Sequence, residues 1–233
     1  MNRVVVVLGM ATEAACLAGL GLPIACSGAR PWLARERAER LVAEGATGLV
    51  SFGIAGALRP GLEPGTLLLP QAVVGPAPQS DAEAPVFPVD AAWHARVAAM
   101  AGACGLPVAS IGRVAGSDLA VTTVAAKAAL ARATGAAAVD MESHVAAAVA
   151  RKHGLPLLVL RAIADPAGRA IPPPALVGLG PDGETRPLAV ALRLLAAPWT
   201  LAALLRLAAD SRAGLAALGQ AVLRLGPTAF LSG

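Results

Sequence analysis

Four consecutive valines and a leucine, Val4 to Leu8, stand near the start of the chain with no polar residue among them. An alternating pattern would mark a strand with one wet face. An unbroken apolar run marks a strand covered on both faces, the habit of parallel sheets. The run therefore calls for helices on both sides of a sheet, and the rest of the sequence supplies them. Helical spacing covers 12–20, 31–44, 90–104, 122–134 and 144–153, while strand-like runs fall at 48–52, 66–74, 108–115, 136–139 and 155–163. Strands alternating with helices predict a three-layer α/β/α sandwich. Glycine-rich 53–56 is expected to be a loop, as are 75–88 and 167–186, which are dense in proline, alanine or glycine. Two apolar helices, 188–208 and 211–225, are expected to close the chain. This divides it into an α/β domain over 1–185 and a helical segment over 186–233, packed on the domain or facing a membrane or partner.

Composition narrows the setting. The chain has 233 residues, 56% of them apolar, which suits one large α/β domain. Cys16, Cys26 and Cys104 have no paired spacing, so a disulfide framework and a zinc site are both excluded and a reducing compartment is expected. The apolar start is too short for a signal peptide and Glu13 interrupts it. The longest apolar stretch, 188–207, carries Arg193, Pro198 and Arg206, which argues against a spanning helix. From residue 186 onward five arginines (Arg186, Arg193, Arg206, Arg212 and Arg224) face one acid, Asp210. With few aromatics and no lysine clusters, this tail suits an anionic surface better than a nucleic acid. The expected location is cytoplasmic, with the inner face of the membrane as the place of any tail contact.

In open α/β sheets ligands bind beyond the strand ends. That singles out 9–13, 53–56, 116–118, 140–142 and 161–165. Glu13 sits among Ala, Thr, Cys and Leu, so it belongs to no charged face; the structural alternative is a first-turn acid favoured by the helix dipole. Gly53-Ile54-Ala55-Gly56 lets a ligand approach the backbone and its N–H groups, or is simply a tight turn. It is neither a Walker loop nor a dinucleotide fingerprint. Asp140 suits an N-cap. Glu142 is either a first-turn acid or the acceptor for two vicinal sugar hydroxyls, with Met141 packed on the sugar. Arg161 and Asp165 end the last strand as a structural ion pair or as part of a site. Asp118 suits a helix cap. His94, His144 and His153 are expected at the surface, and Lys127 and Arg132 on the outer side of their helix. No metal-ligand spacing and no nucleophile elbow occur.

Five segments, in this order and spacing, resemble the nucleoside phosphorylase and nucleosidase superfamily. They are Gly9-Met10-Ala11-Thr12-Glu13, the Gly-x-Ala-Gly of 53–56, Gly116-Ser117-Asp118, Val139-Asp140-Met141-Glu142-Ser143 and Leu160-Arg161-Ala162-Ile163-Ala164-Asp165. The likeness runs from Val4 to about Asp165. It is nearest to the hopanoid-associated phosphorylases and more distant from the methylthioadenosine/S-adenosylhomocysteine nucleosidases. The resemblance implies a central mixed sheet of the nucleoside phosphorylase type. It implies that Glu13 activates water, Arg161 helps orient it, and Asp165 protonates the leaving purine. Met141 and Glu142 would hold the ribose, Val121 would read the adenine edge through its backbone, and Ile54, Ala55 and Gly56 would line the substrate loop.

The implied substrate is adenosylhopane, a nucleoside with a lipid tail, cleaved to adenine and ribosylhopane without a cofactor. Inorganic phosphate would enter only if the reaction were phosphorolysis, giving phosphoribosylhopane. A methylthioadenosine-type nucleosidase and a non-catalytic nucleoside- or lipid-binding protein are the alternatives, and a homo-oligomer is expected. Two departures matter. The phosphorylases bind phosphate with an Arg and a Ser whose matches here are Ser51 and Ile54, which favours hydrolysis through Glu13. The aromatic that stacks on adenine is matched by Ala120, leaving Phe52, Phe87 and Trp32 as substitutes by sequence.

Overall fold

A computed structural model describes residues 3–77, 83–178, 184 and 186–232, the side chain of Pro187 excepted. Eight strands form one sheet: β1 (Val4–Leu8), β2 (Ile24–Cys26), β3 (Gly48–Ala57), β4 (Leu67–Val74), β5 (Val86–Pro88), β6 (Val108–Gly116), β7 (Ala138–Asp140) and β8 (Leu157–Asp165). The valine run does what its pattern demands. β1 lies between β2 and β3, parallel to both, and all five of its residues are buried. β3 continues parallel to β8 and antiparallel to the short β7. β4 runs parallel to β6 and antiparallel to β5 and β8, and β6 runs parallel to β7. The mixed sheet thus closes a ring through β3, β7, β6, β4 and β8.

The described residues form seven α-helices: α1 (Ala11–Cys16), α2 (Pro31–Ala43), α3 (Ala91–Ala103), α4 (Val124–Thr134), α5 (Ser143–His153), α6 (Pro187–Ala196) and α7 (Leu201–Leu225). On one side alanines such as Ala34, Ala38, Ala146 and Ala150 bring α2 and α5 against the sheet. On the other, Trp93 and Val97 of α3 pack with Leu218 and Val222 of α7. Burying a side chain such as Leu218 contributes about 1.5–3 kcal/mol. The second half of α7 is therefore a core element of one outer layer.

Several boundaries depart from the sequence expectation. Residues 53–56 are not a loop: β3 runs through them, because small side chains let β8 pair along its whole length, with a bulge between Ala55 and Gly56. The helix expected over 12–20 ends at Cys16. Strand β2 was not expected, and β5 lies inside the expected loop 75–88, of which 78–82 fall outside the described residues. Within 167–186, residues 173–177 form a 3₁₀ helix, and 179–183 and 185 lie outside the described residues. The closing helices break at Ala197–Thr200 instead of near 209, since Pro198 lacks an N–H and bars the residue before it from helical geometry. Among the described residues no single helix is long and apolar enough to cross a membrane.

Candidate functional site

β1 ends at Leu8, and the chain turns immediately into α1, whose third residue is Glu13. That short turn points the carboxylate back at the strand ends. Its Oε2 accepts the N–H groups of Gly9 and Met10, each at 2.9 Å, and its Oε1 accepts that of Ile54 at 2.8 Å. Glu13 is buried, and burial pushes its pKa above the usual carboxylate range, opposed by Arg161 and by these three amides. The close approach explains Gly53, whose φ is +149° and whose added Cβ would collide with Glu13 Oε1 and with Arg161 Nη1. At Gly9 a Cβ would stand 2.8 Å from Glu142 Oε1, so that carboxylate would have to shift.

Glu142 follows β7 and faces Glu13 across the turn. Its Oε1 accepts from Ser27 Oγ at 3.0 Å, and burial with the nearby negative charges of Glu13 and Asp140 lifts its pKa to about 7 despite Arg161. Arg161, on β8, is completely buried. Its Nε meets Asp140 Oδ2 at 2.9 Å, and its Nη2 donates to Ser51 Oγ at 2.5 Å and Ser143 Oγ at 3.2 Å. Nη1 lies 3.9 Å from Glu142 Oε2 and has no hydrogen-bond partner among the described residues. A buried charge requires such a shell of acceptors. Asp140 is not the N-cap of α5, a position Glu142 holds, but its Oδ1 accepts the Glu142 and Ser143 amides at the start of that helix while Oδ2 holds the guanidinium.

At the far end of β8, Asp165 is paired with Lys127, not with Arg161. The Lys127 Nζ is 2.6 Å from Asp165 Oδ2 and also donates to the carbonyls of Pro166 (2.9 Å) and Arg169 (2.8 Å). Burial raises the Asp165 pKa and Lys127 opposes the rise. Lys127 is therefore buried, against the expectation of an outward-facing residue, because the segment after β8 folds over α4.

One cavity of about 260 Å³ joins these groups. Glu13, Glu142, Asp165, Met141, Val121, Ile54, Ala55 and Gly56 all line it, and Arg161 stands behind its wall. Asp140 and Met10 line it as well, the rest of the wall is mainly aliphatic, with Leu119, Ala120 and Ile171, and α7 contributes Leu207 and Ser211. None of the three aromatics suggested by sequence reaches it: Phe52 packs on Phe230 in the core, Phe87 lies under Arg151, and Trp32 is exposed. Among the described residues the cavity wall thus offers aliphatic side chains and no stacking ring. A larger groove of about 570 Å³ runs past Phe87, Trp93 and Arg151, but its one acid, Asp90, is spent capping α3.

Sequence reasoning missed Ser27, Ser51 as an arginine acceptor, Ser143, Lys127 and the α7 pair. Asp118 does not cap α4, which Thr123 caps; it meets His144 Nε2 at 3.1 Å, and His144 is buried instead of superficial. The flat alanine pattern around Lys127 and His144 carries no signal of which face is covered. Only the serines, small and polar beside apolar strand residues, offered a cue. Among the described residues no cluster of side chains suits a metal ion.

Residues 4–195 match the sequence profile of the phosphorylase superfamily. No curated protein matches the chain. Among solved structures, a Helicobacter pylori 5'-methylthioadenosine/S-adenosylhomocysteine nucleosidase mutant with 5'-methylthioadenosine in its active site superposes with a TM-score of 0.68 at 17% identity, covering 95% of this chain and 98% of that one. The Campylobacter jejuni nucleosidase of the same name gives 0.65 at 19% over 72% of this chain and 88% of its own. The futalosine hydrolase of Helicobacter pylori gives 0.63 at 20% over 71% and 88%. At such identities the likeness is one of fold.

Proposed function

The chain belongs to the phosphorylase superfamily, and we propose that it is a nucleosidase that cleaves the N-glycosidic bond of an adenine nucleoside with water. The observation that carries this reading is the environment of Glu13. Three backbone N–H groups that would otherwise be free for a phosphate oxygen are consumed by its carboxylate. A phosphate brought there would meet negative charge in place of those donors, and the Nε and Nη2 of Arg161 are already committed to Asp140, Ser51 and Ser143. A carboxylate held this firmly suits a base that takes a proton from water.

The chemistry follows from the positions. As the bond to the base breaks, positive charge develops on the sugar ring, and a negative group beside the sugar gains in value. Glu142 accepts the ribose hydroxyls, with Met141 on the ring. Glu13 draws the proton from a water aimed at the sugar carbon, with the unpartnered Nη1 of Arg161 as a donor nearby. Asp165, raised by burial, gives its proton to the departing base.

The substrate we favour is adenosylhopane, giving adenine and ribosylhopane. Leu207 and Ser211 place α7 at the cavity edge. Ahead of it α6 exposes Leu188, Leu192 and Leu195, followed by Trp199. The three leucines recur at the spacing of one helical face, Trp199 lies in the turn after the helix, and Arg186, Arg193 and Arg206 are exposed in the same part of the chain. An apolar stripe among cations suits an anionic membrane surface, from which a lipid-tailed nucleoside would be drawn. The test is adenine release from adenosylhopane and from methylthioadenosine in phosphate-free buffer, with the sugar product identified. Release without phosphate is expected, faster with the lipid substrate. Strict phosphate dependence, with a phosphorylated sugar product, would overturn hydrolysis; preference for methylthioadenosine would overturn the substrate.

A further inference from the structure

A lysine inside a protein is expensive unless its charge is answered. Lys127 is 1% exposed, and it projects from a helix otherwise built of alanine and leucine on that stretch. All three of its N–H donors are used: one on Asp165 Oδ2 at 2.6 Å, the others on the carbonyls of Pro166 and Arg169. Those two carbonyls belong to the segment that leaves β8 directly after Asp165. The ammonium therefore fixes both the carboxyl and the backbone that carries it. Two other charges act on Asp165. Arg169 and Asp210 pair with each other at 2.6 Å and oppose one another in their effect, so Lys127 is the dominant cation for this acid.

We propose that Lys127 is the positioning residue of the cleavage step, clamping Asp165 at the cavity wall and holding the charge left on that carboxyl when its proton passes to the departing base. The inference rests on Asp165 acting as the acid, as proposed above. The electron pair of the glycosidic bond goes to the base, and the proton of the Asp165 carboxyl joins it. A water oxygen bonds to the sugar carbon, and its proton goes to Glu13. Asp165 is left as a carboxylate facing an ammonium already in contact, with no reorganisation required. Lys127 also sets where the acid titrates. A neighbouring cation lowers a carboxyl pKa, and an acid catalyst loses activity as pH rises through its pKa. The high-pH limb of kcat should therefore lie lower with Lys127 than without it.

The experiment compares wild type with K127M, K127R and D165N, measuring kcat and KM for adenine release across pH, with melting temperature alongside. K127M should lower kcat by about tenfold with KM within about threefold, and move the high-pH limb upward by about one pH unit. K127R should keep the limb at the wild-type pH and recover most of the rate. A limb that does not move in K127M, or a variant altered only in KM or melting temperature, overturns the proposal. Should K127M fail to fold, K127R carries the test: a limb in the wild-type place with kcat about threefold down supports the clamp, and a displaced limb refutes it. D165N separates the two readings. Full turnover in D165N sinks the acid itself, whereas an inactive D165N beside an unchanged K127M sinks only the role of Lys127.

Discussion

Glu142 makes binding and stability pull in opposite directions with pH. Its carboxyl has an ordinary value of 4.5 and is lifted to about 7 in the fold. A raised pKa means the folded state favours the neutral form. That advantage is complete below the ordinary value and is lost as pH rises through about 7. In the role proposed for it, accepting two ribose hydroxyls, Glu142 must be the anion, so substrate binding should strengthen over the same interval. Two results are expected. KM for the nucleoside should fall as pH rises from 6 to 8, and the melting temperature of E142Q should gain on that of wild type across the same range. A constant difference between the two melting curves would contradict the assigned titration. Glu13 predicts a different pattern. In E13Q one of the three amide donors on the side chain must face an NH₂ group, leaving a buried donor unanswered at a cost of about 1–3 kcal/mol. E13Q should therefore melt lower and turn over about a hundredfold slower or worse; wild-type turnover in folded E13Q would remove Glu13 as the base. These carboxylates were legible in sequence because each interrupts an apolar run at a strand end. Lys127 was not legible. Its neighbours on the helix are alanines, and its burial is decided by a segment about forty residues later.

The elements that carry the site are β3 and β8, paired from Leu49–Leu157 to Gly56–Asp165. Gly53 lies opposite Arg161 in that ladder, which is why its missing side chain matters. The G53A variant should be strained twice, by a φ of +149° and by collision with Glu13 and Arg161. Backbone strain of that kind costs about 1–3 kcal/mol, and the carboxylate must shift to make room. Expected are a lower melting temperature and a loss of kcat of about tenfold or more, checked by thermal melting and adenine release. Retained kcat would mean that the Glu13 position is tolerant. Sequence reasoning placed a loop here because glycine ordinarily breaks strands. The strand survives because its partners approach too closely for larger residues. The sheet itself is readable from apolar runs, the short β7 included, but β2 and β5 rely on partners the sequence does not name.

At the scale of the molecule, the C-terminal helices divide into two unlike parts. The later half of α7 buries Leu218, Ala221, Val222 and Leu225 in the core. Removing residues 186–233 would therefore damage the fold, and a truncated chain is the wrong instrument for asking what the tail does. α6 touches mainly the 3₁₀ turn before it and the Pro198 turn after it, with Leu188 72%, Leu195 79% and Trp199 79% exposed. The apolar chemistry of this end was legible in composition, but its division between core and surface was not, since both helices are leucine- and alanine-rich throughout. Serine at Leu188, Leu192, Leu195 and Trp199 together should leave the melting temperature and cleavage of a tail-less nucleoside near wild type. The same variant should lose flotation with phosphatidylglycerol vesicles and turn over vesicle-borne adenosylhopane more slowly. Burying those side chains in lipid contributes roughly 1.5–3 kcal/mol each, so the loss should be large. High salt should weaken wild-type flotation, because exposed arginines supply the remaining attraction. Wild-type protein that never floats would remove the lipid contact, and a variant that floats equally well would place it elsewhere than α6.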